Sequence, residues 1–186
     1  MAAKQKAGLL GIMMGIVVIA MCAISIVGVA IDEWTVRETD TAIGSADLST
    51  SFGDYSDLVI GEEGEGIEDA FEDLEFDGKN PVAMRNAMVV FGYIAVAAVC
   101  VLAILYLLKM VLNFGLIRLF VGVVGILTLA AGAVLTGVTA SYCANMVSIE
   151  IGSAFNTAMV MGVGAYLTCI GTMAGGIAAV VGVARK

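Results

Sequence analysis

Apolar residues run through this chain in four long blocks, at 7–31, 82–108, 115–138 and 154–183, and the polar residues collect between them. A helix needs roughly 20 consecutive apolar residues to cross the hydrocarbon of a bilayer, and each block meets that length. The charges inside the blocks are Arg85 and Arg118. Each lies within about one turn of its block's end, where a long side chain can snorkel to the headgroups. The pattern therefore predicts four transmembrane helices, joined by a long first connection (32–81), a short middle turn (109–114) and a third connection (139–153), with tails at 1–6 and 184–186. The first block is too long for the apolar core of a cleaved signal peptide and reads as a retained anchor.

The long connection has a pattern of its own. Over 34–60, Trp34, Val36, Ile43, Leu48, Phe52, Tyr55, Leu58, Val59 and Ile60 are interrupted by Gly44 and Gly53, with Gly61 just beyond. Apolar and β-branched residues punctuated by Gly and Asp predict short strands joined by turns. Further on, Ile67, Ala70, Phe71 and Leu74 fall at i, i+3, i+4 and i+7, which predicts a short amphipathic helix over 66–77. Asn80-Pro81 then breaks the chain, with Pro81 suited to the first turn of the second span. The expected fold is an all-α four-helix membrane bundle carrying a small extracellular β layer and a short helix.

Composition sharpens this picture. Apolar residues make up 60% of the chain and charged ones 14%, outside the usual range of soluble domains. Charge then sets the orientation. All but one of the 17 acids lie in the segment from Asp32 to Arg85, with only Arg37, Lys79 and Arg85 to offset them. The remaining acid, Glu150, lies in the third connection. Lys4, Lys6, Lys109, Arg118, Arg185 and Lys186 occupy the two tails and the middle turn with its flank, where no acid occurs. The positive-inside rule places both termini in the cytoplasm and the acidic connection outside.

Three local patterns resemble the superfamily of claudins and peripheral myelin proteins, which also includes calcium-channel gamma subunits and related receptor accessory proteins. Asp32-Glu33-Trp34-Thr35-Val36 sets a Trp shortly after the first span, where claudins place one entering the first strand. Ala83-Met84-Arg85-Asn86-Ala87-Met88-Val89-Val90 resembles the opening of their second span, and Glu150-Ile151-Gly152-Ser153-Ala154-Phe155 that of their fourth. The resemblance covers the chain loosely. It implies a claudin-like fold at the plasma membrane, with Trp34, Arg85, Glu150, Gly152 and Phe155 as structural or interaction residues. The first connection departs from the family in having no cysteine and no Gly-Leu-Trp, Phe52-Gly53-Asp54-Tyr55 being the nearest stretch. The short C-terminal tail also lacks a PDZ-binding end. These departures favour an accessory role over a junctional one.

Candidate chemistry is sparse. Histidine is absent, which excludes His-based acid–base and metal schemes, and no Ser or Cys sits beside an evident base. The chain reads as non-enzymatic, with no cofactor. Asp73-x-Glu75-x-Asp77-Gly78 resembles the start of a calcium loop, but Pro81 and Met84 stand at the ninth and twelfth positions, so an EF-hand is excluded. Looser cation binding by Asp73, Glu75 and Asp77 is weighed against a solvated helix face. Cys22, Cys100 and Cys169 lie deep in spans as small apolar residues. Cys143, near the outer face, has no evident intramolecular partner. Gly11-x-x-x-Gly15 and Gly171-x-x-x-Gly175 present small faces for close helix approach, while Ser25, Thr128 and Thr168 are the mid-span polar groups. An Arg85–Glu150 ion pair at the outer boundary is weighed against each side chain reaching water separately.

Two functional classes follow. The first is a tetraspan auxiliary subunit that packs against another membrane protein or its own copies in the bilayer. The alternative is a claudin-like adhesion, barrier or cation-pore protein acting by self-assembly. Scattered basic residues exclude nucleic acid as a partner.

Overall fold

The computed structural model describes residues 2–41, 44–60, 80–112, 115–150 and 156–184. Helix α1 (Ala2–Ala30) is followed by strands β1 (Thr35–Thr41) and β2 (Gly44–Thr50) and a short helix α2 (Phe52–Ile60). Helices α3 (Pro81–Leu112) and α4 (Gly115–Glu150), strand β3 (Asn156–Met161) and helix α5 (Val163–Ala184) follow among the described residues. The four long helices are long and apolar enough to cross a membrane. The protein is mostly helical, with one small sheet, as befits a multi-pass membrane protein.

Three boundaries differ from the sequence reading. The fourth apolar block does not begin as a helix at 154. Asn156–Met161 forms a strand, and α5 starts at Val163. Its run Ala-Met-Val-Met is apolar enough to read either way, and the separating Gly162 donates its N–H to Trp34 O at 2.8 Å. The third connection is also shorter than 139–153, because α4 continues to Glu150 through residues that include no Gly or Pro after Gly137. Within the expected strands of 34–60, residues from Phe52 onward are helical. The cause is a reciprocal cap. Ser51 N–H donates to Asp54 Oδ2 (2.9 Å), and Asp54 N–H donates to Ser51 Oγ (3.0 Å), which satisfies donors at the helix start. Phe52, Tyr55, Ser56 and Val59 then line one buried face at helical spacing. The amphipathic helix expected over 66–77 lies outside the described residues.

The chain divides into two compact units. The first comprises residues 1–26, 94–133 and 168–186. Its helices are apolar all round, so size rather than polarity decides which face turns inward. Helix α5 buries Thr168, Gly171, Thr172, Gly175, Gly176 and Ala179, and turns Ile170 and Ile177 outward. A Cβ on Gly171 would stand 2.7 Å from both Met21 O and Ser25 N, and one on Gly176 2.6 Å from Gly125 O. Backbone meets backbone there, as small residues permit in lipid. Val18, Leu102, Tyr106 and Val121 fill the core between these contacts.

The second unit comprises residues 27–93 and 134–167. It contains an antiparallel sheet of order β2-β1-β3. Thr35 faces Thr50 on one side and Met161 on the other; Glu38 faces Asp47 and Ala158. Asn80 caps α3 by accepting from the N–H groups of Val82 (3.0 Å) and Ala83 (3.4 Å). Pro81 occupies the first helical position, where its missing N–H costs nothing.

Candidate interaction site

The sheet is fixed to the helix segments of its own unit through Trp34. This side chain is completely buried. Its indole N–H donates to Met88 Sδ at 3.1 Å, and its ring meets Phe52 at 4.7 Å between centroids. Phe52 in turn contacts Tyr93 edge-on at 5.5 Å. Such aromatic contacts are worth about 0.5–1.5 kcal/mol each beyond their buried area. Gly92 makes room for the cluster, since a Cβ there would collide with the Phe52 ring. Backbone bonds fix the same point: Trp34 N–H to Thr50 O (2.9 Å) and Gly164 N–H to Glu33 O (2.9 Å). A Cβ on Gly162 would clash with the carbonyl of Glu33. The glycines at 162 and 164 thus allow the turn between β3 and α5 to lie against the chain leaving α1.

Four hydroxyls of this unit are paired with one another. Thr35 Oγ1 and Tyr55 OH share a hydrogen bond of 2.7 Å, and Ser56 Oγ and Tyr93 OH one of 2.6 Å. Tyr55 meets Tyr142 edge-on at 5.7 Å. Arg85, half-buried in the first turns of α3, donates from Nε (3.3 Å) and Nη2 (3.1 Å) to Asn86 Oδ1. Thr139 Oγ1 is the one buried side-chain oxygen or nitrogen without a hydrogen-bond partner among the described residues.

Beyond Thr35 the sheet emerges from this cluster. Glu38, Asp47 and Ser49 are exposed, and Leu48 keeps 65% of its surface accessible. Glu38 and Asp47 are directly opposed on β1 and β2, a like-charge pairing that costs stability. The ordinary stabilising choice at a cross-strand pair is therefore absent here.

Of the residues singled out from sequence, Trp34 and Arg85 belong to this unit as described. Glu150 ends α4, but its side chain lies outside the described residues, as do Gly152, Phe155, Asp73, Glu75 and Asp77, so the Arg85–Glu150 pair and the acidic cation site fall there too. Among the described residues no group of three or more Asp, Glu, Cys or His side chains converges as a metal site. In the first unit, Gly171 and Gly175 lie against α1, a Cβ on Gly175 standing 3.6 Å from Cys22 Sγ. Gly15 faces Met110 and Tyr106 of α3, whereas a Cβ on Gly11 would meet nothing within 4 Å. Cys22, Cys143 and Cys169 are buried thiols and Cys100 is exposed.

Sequence reasoning misses Tyr142 altogether and notes Met88 only within the run that opens the second span, not as a partner of Trp34. It names Ser25 and Thr168 as mid-span polar groups but misses Thr172 and the pairing that joins α1 to α5. Ser25 Oγ lies 2.7 Å from Thr172 Oγ1, and Thr168 Oγ1 donates to Ser25 O at 3.1 Å. Thr172 at the i+4 position from Thr168 is the available signal. Neither a protein-family model nor a curated protein sequence matches the chain.

Proposed function

We propose that this protein is a non-enzymatic four-span membrane protein that serves as an accessory subunit of a channel, receptor or other membrane complex. In this reading it resides in the plasma membrane with both termini in the cytoplasm. The carrying observation is the sheet. Its root is locked by Trp34, Phe52 and Met88, while beyond it Glu38 stands opposite Asp47 on one face and Leu48 is exposed on the other. A rigid mount beneath an electrostatically unfavourable acidic surface supports recognition of a basic region on a partner. The helix faces support lateral packing: Ile12, Ile16, Val123 and Ile126 are exposed apolar side chains suited to lipid or to a neighbouring span.

One observation favours the second reading, adhesion or pore formation by self-assembly. Strands β2 and β3 flank β1, so each pairs on one side only within the described sheet. An open strand edge is a template for pairing with another chain.

Gentle solubilisation from the native membrane, followed by identification of what copurifies, tests the proposal. An accessory subunit brings a larger channel or receptor polypeptide with it at fixed stoichiometry. Recovery only as oligomers of itself contradicts the accessory role and moves the weight to self-assembly.

A further inference from the structure

The two edges of the sheet are not alike. Strand β2 forms one and β3 the other, with β1 between them, and no other described strand pairs with either outer edge. β1 carries Arg37, Glu38 and Asp40, and β2 carries Asp47. β3, Asn-Thr-Ala-Met-Val-Met, has no charged residue, no Pro and no Gly. It pairs with β1 in unbroken register from Thr35↔Met161 to Asp40↔Asn156, so no bulge twists it away. Natural sheets keep an open edge from pairing with other chains by placing charges, prolines or bulges on it. Asp47 protects β2 in this way. β3 carries none of these devices.

The side chains of β3 also suit an identical strand. Val160 lies opposite Val36 and Ala158 opposite Glu38, so both share the face that carries Glu38 and Asp47. Val160 keeps 39% of its surface accessible, and Ala158 is exposed. An antiparallel copy of the strand centred on Met159 sets Ala158 opposite Val160 of the second copy, and Met159 opposite its own equivalent. Exposed apolar side chains then become cross-strand neighbours, and no like charges face each other across the seam. Pairing through β2 would instead bring Asp47 of each copy to the seam, one strand away from Glu38. A two-fold contact needs one patch that is complementary to itself, and copies in one membrane carry this edge at the same depth.

We propose that β3 pairs antiparallel with β3 of a second copy of this chain, joining two sheets into one. The proposal deepens the self-assembly reading given above and does not require the accessory role.

The test is disulfide trapping of the full chain in membranes, with two differently tagged copies so that self-association is read separately by coprecipitation. Met159→Cys is expected to give a reducible dimer on mild oxidation, above the level of the unaltered chain, whereas Asp47→Cys on β2 gives none. Adding Val160→Lys to Met159→Cys puts a charge in the seam at an exposed position and abolishes that dimer. Loss of trapping at Met159→Cys while tagged copies still coprecipitate overturns the β3 pairing and leaves self-assembly standing, as does trapping through Asp47→Cys alone. Failure of both trapping and coprecipitation overturns the pairing and the self-assembly reading together.

Discussion

Each of the two units of this chain has its own internal chemistry. In the first, helices meet through Gly171, Gly175 and Gly176 and through the hydroxyls of Ser25, Thr168 and Thr172. In the second, a sheet is fixed by Trp34, Phe52 and Tyr93 and by backbone bonds at Glu33 and Gly162. The difference follows from what each packs, helix segments alone in the first and a sheet against helix segments in the second. Lipid tails are as apolar as the side chains, so burying a large apolar group between helices gains little, and close approach with satisfied polar groups must do the holding. Where water reaches, burying an aromatic ring is the strong term. Isoleucines such as Ile170 and Ile177 therefore face outward from the first unit, while Trp34 and Phe52 face inward in the second.

The largest predicted effect sharpens this contrast. Trp34→Ala is expected to cost about 3–5 kcal/mol, the range for truncating a buried Trp. Hydrogen exchange should show lost protection in β1 and β2 while amides of α5 around Gly171 keep theirs. Equal loss in both places would break the comparison, because the two chemistries would then form one cooperative set. Next comes a glycine pair. Gly171→Val drives side-chain atoms against Met21 O and Ser25 N and should destabilise by about 1–3 kcal/mol, read as a lower unfolding midpoint in detergent. Gly11→Val, at a position with open space around it, should leave that midpoint unchanged. Removing the hydroxyl pairing comes third. Thr172→Val should cost about 0.6 kcal/mol, the average for a hydrogen bond between membrane helices. A cost several times larger would mean that the hydroxyls, not the glycines, dominate the first unit.

The smallest effect is a pH dependence at α2. Hydrogen bonds from the Ser51 backbone N–H and then its hydroxyl hold the Asp54 carboxyl below its ordinary pKa. A depressed carboxyl pKa adds stability above the unfolded-state value, near ~3.9, and that contribution is lost as pH falls through the lowered folded value. Asp54→Asn should therefore flatten the acid limb of α2 unfolding, followed by circular dichroism. Ser51→Ala should raise the titration midpoint of Asp54 toward that of an ordinary carboxylate, measured by NMR.

What the sequence reveals divides along the same line. The four apolar blocks are legible because span length is a property of consecutive residues, and Asn80-Pro81 marks the start of α3 by local chemistry alone. The run Asn156–Met161 is not legible. A short apolar segment fits a strand or the first turns of a span, and the choice is made by its pairing with β1, far earlier in the chain. Phe52–Ile60 carries mixed signals. Its apolar spacing is helical and Ser51 with Asp54 forms a cap, yet Gly53 and the β-branched residues nearby suggest strand. The site at Trp34 is half visible. The Trp stands out in the sequence, but Met88 and Gly162 join it only through the fold. Lys109 and Arg118 read from sequence as orientation signals, and their bonds to Gly182 O and Val183 O at the α5 terminus need coordinates.

Docking of another membrane protein on the exposed acidic face of the sheet is tested most directly by a photoreactive amino acid placed at Ser49, which shares that face with Asp47. Native membranes are irradiated and the crosslinked product is identified by mass. A docking surface predicts a second, larger membrane polypeptide attached at that position, with the yield reduced by Trp34→Ala. Crosslinks to further copies of this chain alone, or to no protein at all, would contradict it.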